Sequence, residues 1–409
     1  MWIDLIFLGS VGVAILAWAG LSLYMLAVQS RREATRAALQ ATLDVLLPLQ
    51  SAALPARLAA ARPLLQGASR ELLMHGAAER DLPQPTFETL MAVIAERWSI
   101  DVLVRDASAH TSGRDKWRRT TALTLLARHG HPHAMTLVAR ALNDRDQDVA
   151  ASALAVLGRA QSPEAADLLV GALTSSNVPA SRVALYIDQS PLDLAARLTA
   201  LLGDADPLVR QSAATLLARY PEDRVEDAVT PLVRDADPRV RKAAIQTLGR
   251  IGTDRSVPYA TGLLSDPVPF VRAHAVRALG ELGRADLADR VAGLLGDGDW
   301  WVRLAARESL EMMGSEVWPV LVRCLDHRDR FVRNGAAEVA QNLGVLDSLI
   351  MLEAASDNPT RAKVAMLQRI AAAGGVRFTE SLVERAGPVV GPRVRRLLDT
   401  MGLEHVGAA

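Results

Sequence analysis

Three histidines, His129, His131 and His133, alternate around Gly130 and Pro132, a spacing that can bring two imidazoles onto one metal ion. No cysteine or carboxylate cluster accompanies them, so a turn between helices is the favoured reading and no metal is expected. The only cysteine, Cys324, has no obvious base to activate it in the sequence and cannot form an intramolecular disulfide. An arginine recurs as Arg119, Arg210, Arg241, Arg272, Arg303 and Arg333, a column that could line phosphates. Aspartates rise with it, however, and pairing with the Asp residues at neighbouring helix starts is the stronger expectation. Phosphate-binding glycine loops and Gly-x-Ser-x-Gly elbows are absent. No catalytic residue is assigned, and no cofactor is expected.

A binding chemistry is more visible than a catalytic one. Aromatic residues make up only 4% of the chain, yet Phe270, Trp301 and Phe331 occupy one register position in three successive units, with Trp300 adjoining. Rings arranged along one edge, about 10 Å apart as packed helices are, can anchor a partner protein. The competing reading is that each ring covers an apolar seam between repeats. Exposure of at least two of the four decides for the binding edge.

The elements that would position these residues follow from a repeat. Val209, Val240, Val271, Val302 and Val332 mark a period of 31 residues, shortening to 30 at the last step, with Val149 upstream and weaker copies near Arg118 and Ala362. Asp115, Asp146, Asp206, Asp237, Asp299 and Asp329 stand three residues before the anchor, where a carboxylate caps free amides, and Pro207, Pro238 and Pro269 suit a first helical turn. Alanine four residues after the anchor and leucine eight after it, as in Ala244 and Leu248, make an apolar stripe with a small residue for close helix approach. Gly130, Gly252, Gly283, Gly314 and Gly344 end these helices. A second helix follows in each unit, marked by Val291, Leu294 and Leu295 or by Val320, Leu321 and Leu325. Such pairs bury their apolar faces only by stacking, which predicts an all-α solenoid and a superhelical rod. The pattern fails at residues 174–191, where an irregular repeat and a bend are expected.

The Asp-x-Asp-Pro-x-Val-Arg core, clearest in residues 235–241, 266–272 and 297–303, resembles the HEAT-repeat family, specifically the short phycobilisome-lyase-type HEAT-like repeats. The resemblance covers about residues 117–402 and implies helix-pair architecture rather than an activity. Relatives include an iron-dependent hydroxylase with His-Glu ligand pairs, and no His-Glu dipeptide occurs here. Others attach or remove bilin chromophores, and no motif for that chemistry can be carried over residue by residue.

Upstream of the repeats, the 24 residues from Leu5 to Val28 carry no charged side chain. As a helix they would reach roughly 36 Å, enough to cross a hydrocarbon core. Asp4 precedes this segment and Arg31, Arg32 and Arg36 follow it, so the N-terminus is expected outside and everything downstream cytoplasmic, with Trp2 and Tyr24 as interfacial anchors. A cleaved signal peptide would need a basic n-region and a shorter apolar run. The organisation expected is a short extracytoplasmic N-terminus (1–4), a transmembrane helix (5–28), a helical stalk and cap region (29–105), a polar linker (106–116), the solenoid (117–402) and a C-terminal tail (403–409). Within the cap region Phe87, Leu90, Met91, Ile94 and Trp98 recur at helical spacing and are read as core against the first repeat.

Lys plus Arg and Asp plus Glu both number 46, and this balance gives no global field to attract nucleic acid. The expectation is a single-pass, bacterial-type inner-membrane scaffold whose cytoplasmic solenoid binds a protein, as a regulatory subunit of a membrane or envelope enzyme for example. The alternatives are a lyase-like or metal-dependent enzyme of the same repeat family, and homo-oligomerisation through the solenoid.

Overall fold

The computed structural model describes residues 47–78, 82–109, 116–175, 177–344 and 387–400, with a few isolated positions beyond them. Among these residues every regular element is helical, and the chain divides into two compact units, residues 1–192 and 193–409. The α-helices are numbered along the described chain.

The first unit opens with α1 (Leu54–Leu65), α2 (Arg70–Ala77), α3 (Gln84–Trp98) and α4 (Asp101–Ser108). Helix α3 begins where Pro83 and Pro85 favour a first turn, and its apolar spacing buries Phe87, Leu90, Met91 and Ile94 at 1% exposure or less. The Arg128 guanidinium of the first repeat lies 4.3 Å from the centroid of Phe87, so the cap does pack on the repeat as its sequence predicts. Trp98 departs from that expectation. It is only half-buried, at the helix end, with Arg97 stacked 4.1 Å from its ring. Arg57, by contrast, is buried at 7% exposure because its guanidinium finds the Ala52 carbonyl at 2.6 Å, Thr89 Oγ1 at 3.0 Å and Glu88 Oε2 at 3.1 Å.

The expected linker at 106–116 is partly helix, since α4 runs to Ser108 and α5 begins at Lys116. Helices α5 (Lys116–His129) and α6 (Ala134–Ala141) form the first pair, and α7 (Gln147–Leu157) and α8 (Pro163–Gly171) the second. At the irregular repeat Pro179, not aspartate, occupies the N-cap of α9 (Ala180–Gln189). Asn177 replaces something specific there. Its side-chain amide donates to the carbonyls of Leu142 and Asp144 at 2.9 and 3.1 Å, and the Asp144 carbonyl is one that an arginine takes in other repeats, where this repeat has Ala150.

The second unit starts with α10 (Ala195–Ala200) and then alternates long and short helices: α11 (Pro207–Leu217), α12 (Asp223–Val229), α13 (Pro238–Ile251), α14 (Val257–Leu263), α15 (Pro269–Glu281), α16 (Ala288–Gly293), α17 (Trp300–Met312), α18 (Trp318–Cys324) and α19 (Arg330–Asn342). Helix α20 (Gly387–Thr400) lies further along the chain. The long helices start where the sequence predicts, because Asp206, Asp237, Asp299 and Asp329 accept the amides of Leu208, Arg239, Trp301 and Phe331, each at 2.8 Å. Each such cap contributes about 1 kcal/mol. Helix α15 has Val268 at this position, and Asp266 instead accepts the Val268 amide at 2.8 Å.

The long helices pack side by side on one apolar stripe. Val240, Ala244 and Leu248 have 0% exposure, as do their equivalents on α15 and α17. Burying one such leucine contributes about 2 kcal/mol, and truncating it to alanine would cost about 3 kcal/mol because the neighbours cannot close the hole. Buried hydroxyls add register: Thr247 Oγ1 donates to the Ala214 carbonyl at 2.7 Å, and Ser309 Oγ to that of Val276 at 3.0 Å. Gly252 and Gly283 adopt φ of 79° and 65° just past their helices, a conformation costly for any residue with a Cβ.

No helix among the described residues is long and apolar enough to cross a membrane. The segment 5–28, with Trp2, Tyr24, Arg31, Arg32 and Arg36, lies outside the described residues, as do Asp115 and the weak repeat copy near Ala362.

Candidate partner-binding site

The arginine column is a ladder of ion pairs. In the second unit the arginine after three successive anchors reaches an aspartate of the next repeat, five residues before that repeat's own anchor. Arg210 Nε and Nη2 meet Asp235 at 2.8 Å each, Arg241 meets Asp266 at 2.8 and 2.9 Å, and Arg272 meets Asp297 at 2.9 and 2.8 Å. In each case Nη1 also donates to a carbonyl of its own repeat, that of Asp204, Asp235 or Asp266, at 2.8 to 2.9 Å. Arg119 pairs with Asp144 in the first unit through Nη1 alone, so the two-pronged grip belongs to Arg210, Arg241 and Arg272. These two-pronged bonds hold each arginine in place and leave no ligand-facing fork. Arg210 holds the Asp235 carboxyl below its usual range. At Asp266 and Asp297 burial works in the opposite direction, but the arginine and a backbone amide outweigh it.

The sequence therefore identifies the pairing but not the partner. The aspartates three residues before the anchor are occupied as caps, and those five residues before it take the arginines.

The ladder stops at Arg303. Where an aspartate would stand, the next repeat has His327, whose Nδ1 accepts the Asp329 amide at 3.1 Å just as the aspartates do, but which has no carboxylate to offer an arginine. Arg303 keeps its Nη1 bonds to the carbonyls of Asp297 and Gly298 at 2.7 and 3.1 Å, and its guanidinium carbon lies 4.5 Å from the centroid of Phe331.

The four rings singled out by the sequence all face water: Phe270 is 40% exposed, Trp300 50%, Trp301 60% and Phe331 42%. Trp300 and Trp301 meet edge to face with centroids 4.5 Å apart. All four sit in the first turns of α15, α17 and α19, fixed there by the capping aspartates or, on α15, by the Asp266 turn. The same register position holds Leu208, 49% exposed, and in the first unit Trp117, 71% exposed. Sequence reasoning missed both, although counting back one residue from every anchor finds them.

The other chemical candidates stay apart. His131 and His133 have ring centroids 5.5 Å apart, and His131 Nδ1 is occupied by the His133 amide at 3.2 Å. Among the described residues no three His, Cys, Asp or Glu side chains gather to hold a metal. Cys324 lines an open cavity of about 380 Å³ with Asp289, Gly293, Gly296, His327 and Asp329. Burial, helped by Asp289, pushes its thiol pKa up, away from a reactive thiolate.

The family model for HEAT repeats matches residues 107–186, 194–272 and 261–341. No curated protein matches the chain. Among solved structures, the complex of CpcE and CpcF of phycocyanin lyase from Nostoc sp. PCC7120 is 24% identical, over 52% of this chain and 96% of that one, with a TM-score of 0.32. An engineered protein is 19% identical over 88% and 98% with a TM-score of 0.36. The karyopherin Kap121p bound to the extreme C-terminus of the protein phosphatase Cdc14p is 15% identical over 86% and 47% with a TM-score of 0.49. Matched by its model over more than half of its length and built from the helix pairs described above, the chain belongs to the HEAT-repeat family.

Proposed function

We propose that this chain is a membrane-tethered scaffold whose HEAT repeats bind a partner protein through the aromatic edge formed by Phe270, Trp300, Trp301 and Phe331. The observation that carries the reading is the exposure of all four rings, 40% or more each, in a chain where aromatics are only 4% of residues. Leaving such area in water is costly in a folded protein unless something covers it, and tryptophans at a patch centre supply the largest share of many interfaces. Family membership supports the same reading, because repeat stacks offer long surfaces.

The tether is the apolar segment 5–28, with Arg31, Arg32 and Arg36 holding the repeats on the cytoplasmic side. The partner is then a cytoplasmic or inner-membrane protein, and no catalytic step is assigned to this chain. A lyase-like or metal-dependent activity draws no support from the occupied His131 Nδ1 or the raised thiol of Cys324.

Crosslinked recovery of the intact chain from membranes, compared with a Trp300→Ala/Trp301→Ala variant, tests the edge. One specific protein is expected to be lost with the variant, and equal recovery would refute the proposed surface. An alkaline wash of the same membranes tests the tether: the chain is expected to stay in the pellet, and release by the wash would overturn it.

A further inference from the structure

The edge is charged as well as aromatic, and the charge is one-sided. Two guanidiniums lie over the Phe331 ring, Arg303 at 4.5 Å and Arg330 at 4.9 Å from its centroid. Arg303 Nε and Nη2, the atoms that grip a carboxylate in Arg210, Arg241 and Arg272, meet no carboxylate among the described residues. Arg328 is exposed and forms no ion pair among the described residues. The nearby carboxylates are already engaged: Asp297 by Arg272, Asp299 by the Trp301 amide and Asp329 by the Phe331 amide. Residues 235–241, by comparison, balance Asp235 and Asp237 against Arg239 and Arg241.

We infer that this edge receives an acidic, extended segment of a partner protein, with a carboxylate on Arg303 and apolar side chains on Trp301 and Phe331. Stacking on the ring and the two Nη1 bonds orient the Arg303 guanidinium in advance and leave Nε and Nη2 to grip a carboxylate, so little freedom is lost on binding. His327 makes this arrangement work, because it satisfies the Asp329 amide without bringing a competing negative charge. The inference rests on the aromatic edge being the protein-binding surface, as proposed above.

The test uses the full chain, in detergent micelles, and a phage-displayed library of random 12-residue peptides. Enriched peptides are expected to be rich in Asp and Glu interspersed with apolar residues. Titration calorimetry should show affinity for them falling about tenfold or more, the equivalent of one lost charge-assisted contact, in Arg303→Gln, and for the unaltered chain as salt is raised. Urea unfolding of the variant should match that of the unaltered chain. Neutral or basic peptides that are enriched and lost with Trp300→Ala/Trp301→Ala would overturn the acidic partner while leaving the aromatic edge standing. Equal enrichment on the intact chain and on that tryptophan variant would remove both. Arginine-dependent binding to phosphatidylglycerol vesicles without acidic peptides, or arginine-dependent self-association, would overturn it in favour of a lipid surface or a second copy.

Discussion

Arg241 follows the anchor of α13 and Arg303 that of α17, yet the first closes on Asp266 at 2.8 Å while the second, with His327 at the register position of the aspartate, lies over Phe331. Residues 207–297 use the arginine as a strut between repeats, whereas in residues 300–342 Arg303, just as half-buried, meets no aspartate among the described residues. Both stretches keep the same buried stripe, and aspartate caps and glycine ends recur in both, so the difference is not in how the helices form. Changing one residue type in the partner column releases a guanidinium from the scaffold. In a repeat protein a local loss of internal pairing of this kind distinguishes a working surface from a structural one.

The largest expected effect tests the strut directly. Asp266 is 4% exposed at its side chain and holds both Arg241 and the Val268 amide, so Asp266→Ala leaves a partly buried cation and a turn amide unsatisfied. Urea unfolding should show a loss of about 3 kcal/mol. Arg303→Ala, in the surface stretch, should change stability by no more than about 0.5 kcal/mol. Equal losses would erase the distinction between the two stretches.

The next effect probes the seam that joins them. A Cβ on Gly280 of α15 would stand 2.9 Å from both Cα and Cβ of Ser309 on α17, with backbone on one side that cannot give way. Gly280→Ala should therefore destabilise by about 2 kcal/mol from overpacking, offset by up to about 1 kcal/mol of helix propensity. Gly293→Ala meets nothing within 4 Å and serves as the control in the same thermal unfolding series. A neutral Gly280→Ala would mean that the two stretches slide past each other freely.

Acid should separate the stretches further. Burial, with Lys242 and Arg277 adding like charge, lowers the pKa of His274 on α15 to about 4. The unfolded chain then binds its proton first, so stability is complete above the ordinary histidine range and is lost as pH falls from about 6.5 towards 4. Allowing for partial solvent access, the loss is about 1 kcal/mol, measured as the shift in urea midpoint between pH 7 and pH 5. His274→Gln should flatten the profile, and an unchanged slope would show that the histidine is solvated. Below this window carboxylates take over: Asp235, Asp266 and Asp297 of the ladder have lowered pKa values, and the capping Asp237 sits at about 2, so their contribution is lost only in stronger acid.

How much of this was legible in the sequence depended on how local each signal is. Asp237, Pro238 and Val240 fix a helix start within one turn, and Leu248 and Gly252 its buried face and its end, so the register read from them matches the helices. Exposure of Phe270, Trp300, Trp301 and Phe331 follows from their place in a first turn, opposite the stripe. The ladder partner was not legible, because Arg241 meets Asp266 only after the intervening helix α14 folds back, and helix spacing says nothing about that return. Asp237 was the nearer candidate and proved to be a cap. Arg57 shows the same limit, since its partners Thr89 and Glu88 lie on another helix and a lone arginine in sequence gives no hint of burial.

The smallest expected change is the sharpest test of the comparison. His327→Asp would keep an acceptor for the Asp329 amide and offer Arg303 the carboxylate that Asp297 offers Arg272 at 2.8 Å. Because the pair would be partly exposed, as Arg272 and Asp297 are at 17% and 9%, the gain should be only about 0.5 kcal/mol by urea unfolding. Adding Arg303→Gln to it should abolish the gain, which a double-mutant cycle reads as coupling between the two positions. The same single change should lower affinity for an acidic peptide by about tenfold, since it neutralises the gripping group and repels the ligand. A variant that becomes slightly more stable and binds less would show that one residue sets whether this position is strut or surface. Unchanged stability together with unchanged binding would mean that Arg303 is held over Phe331 by packing alone, and that the missing aspartate explains nothing.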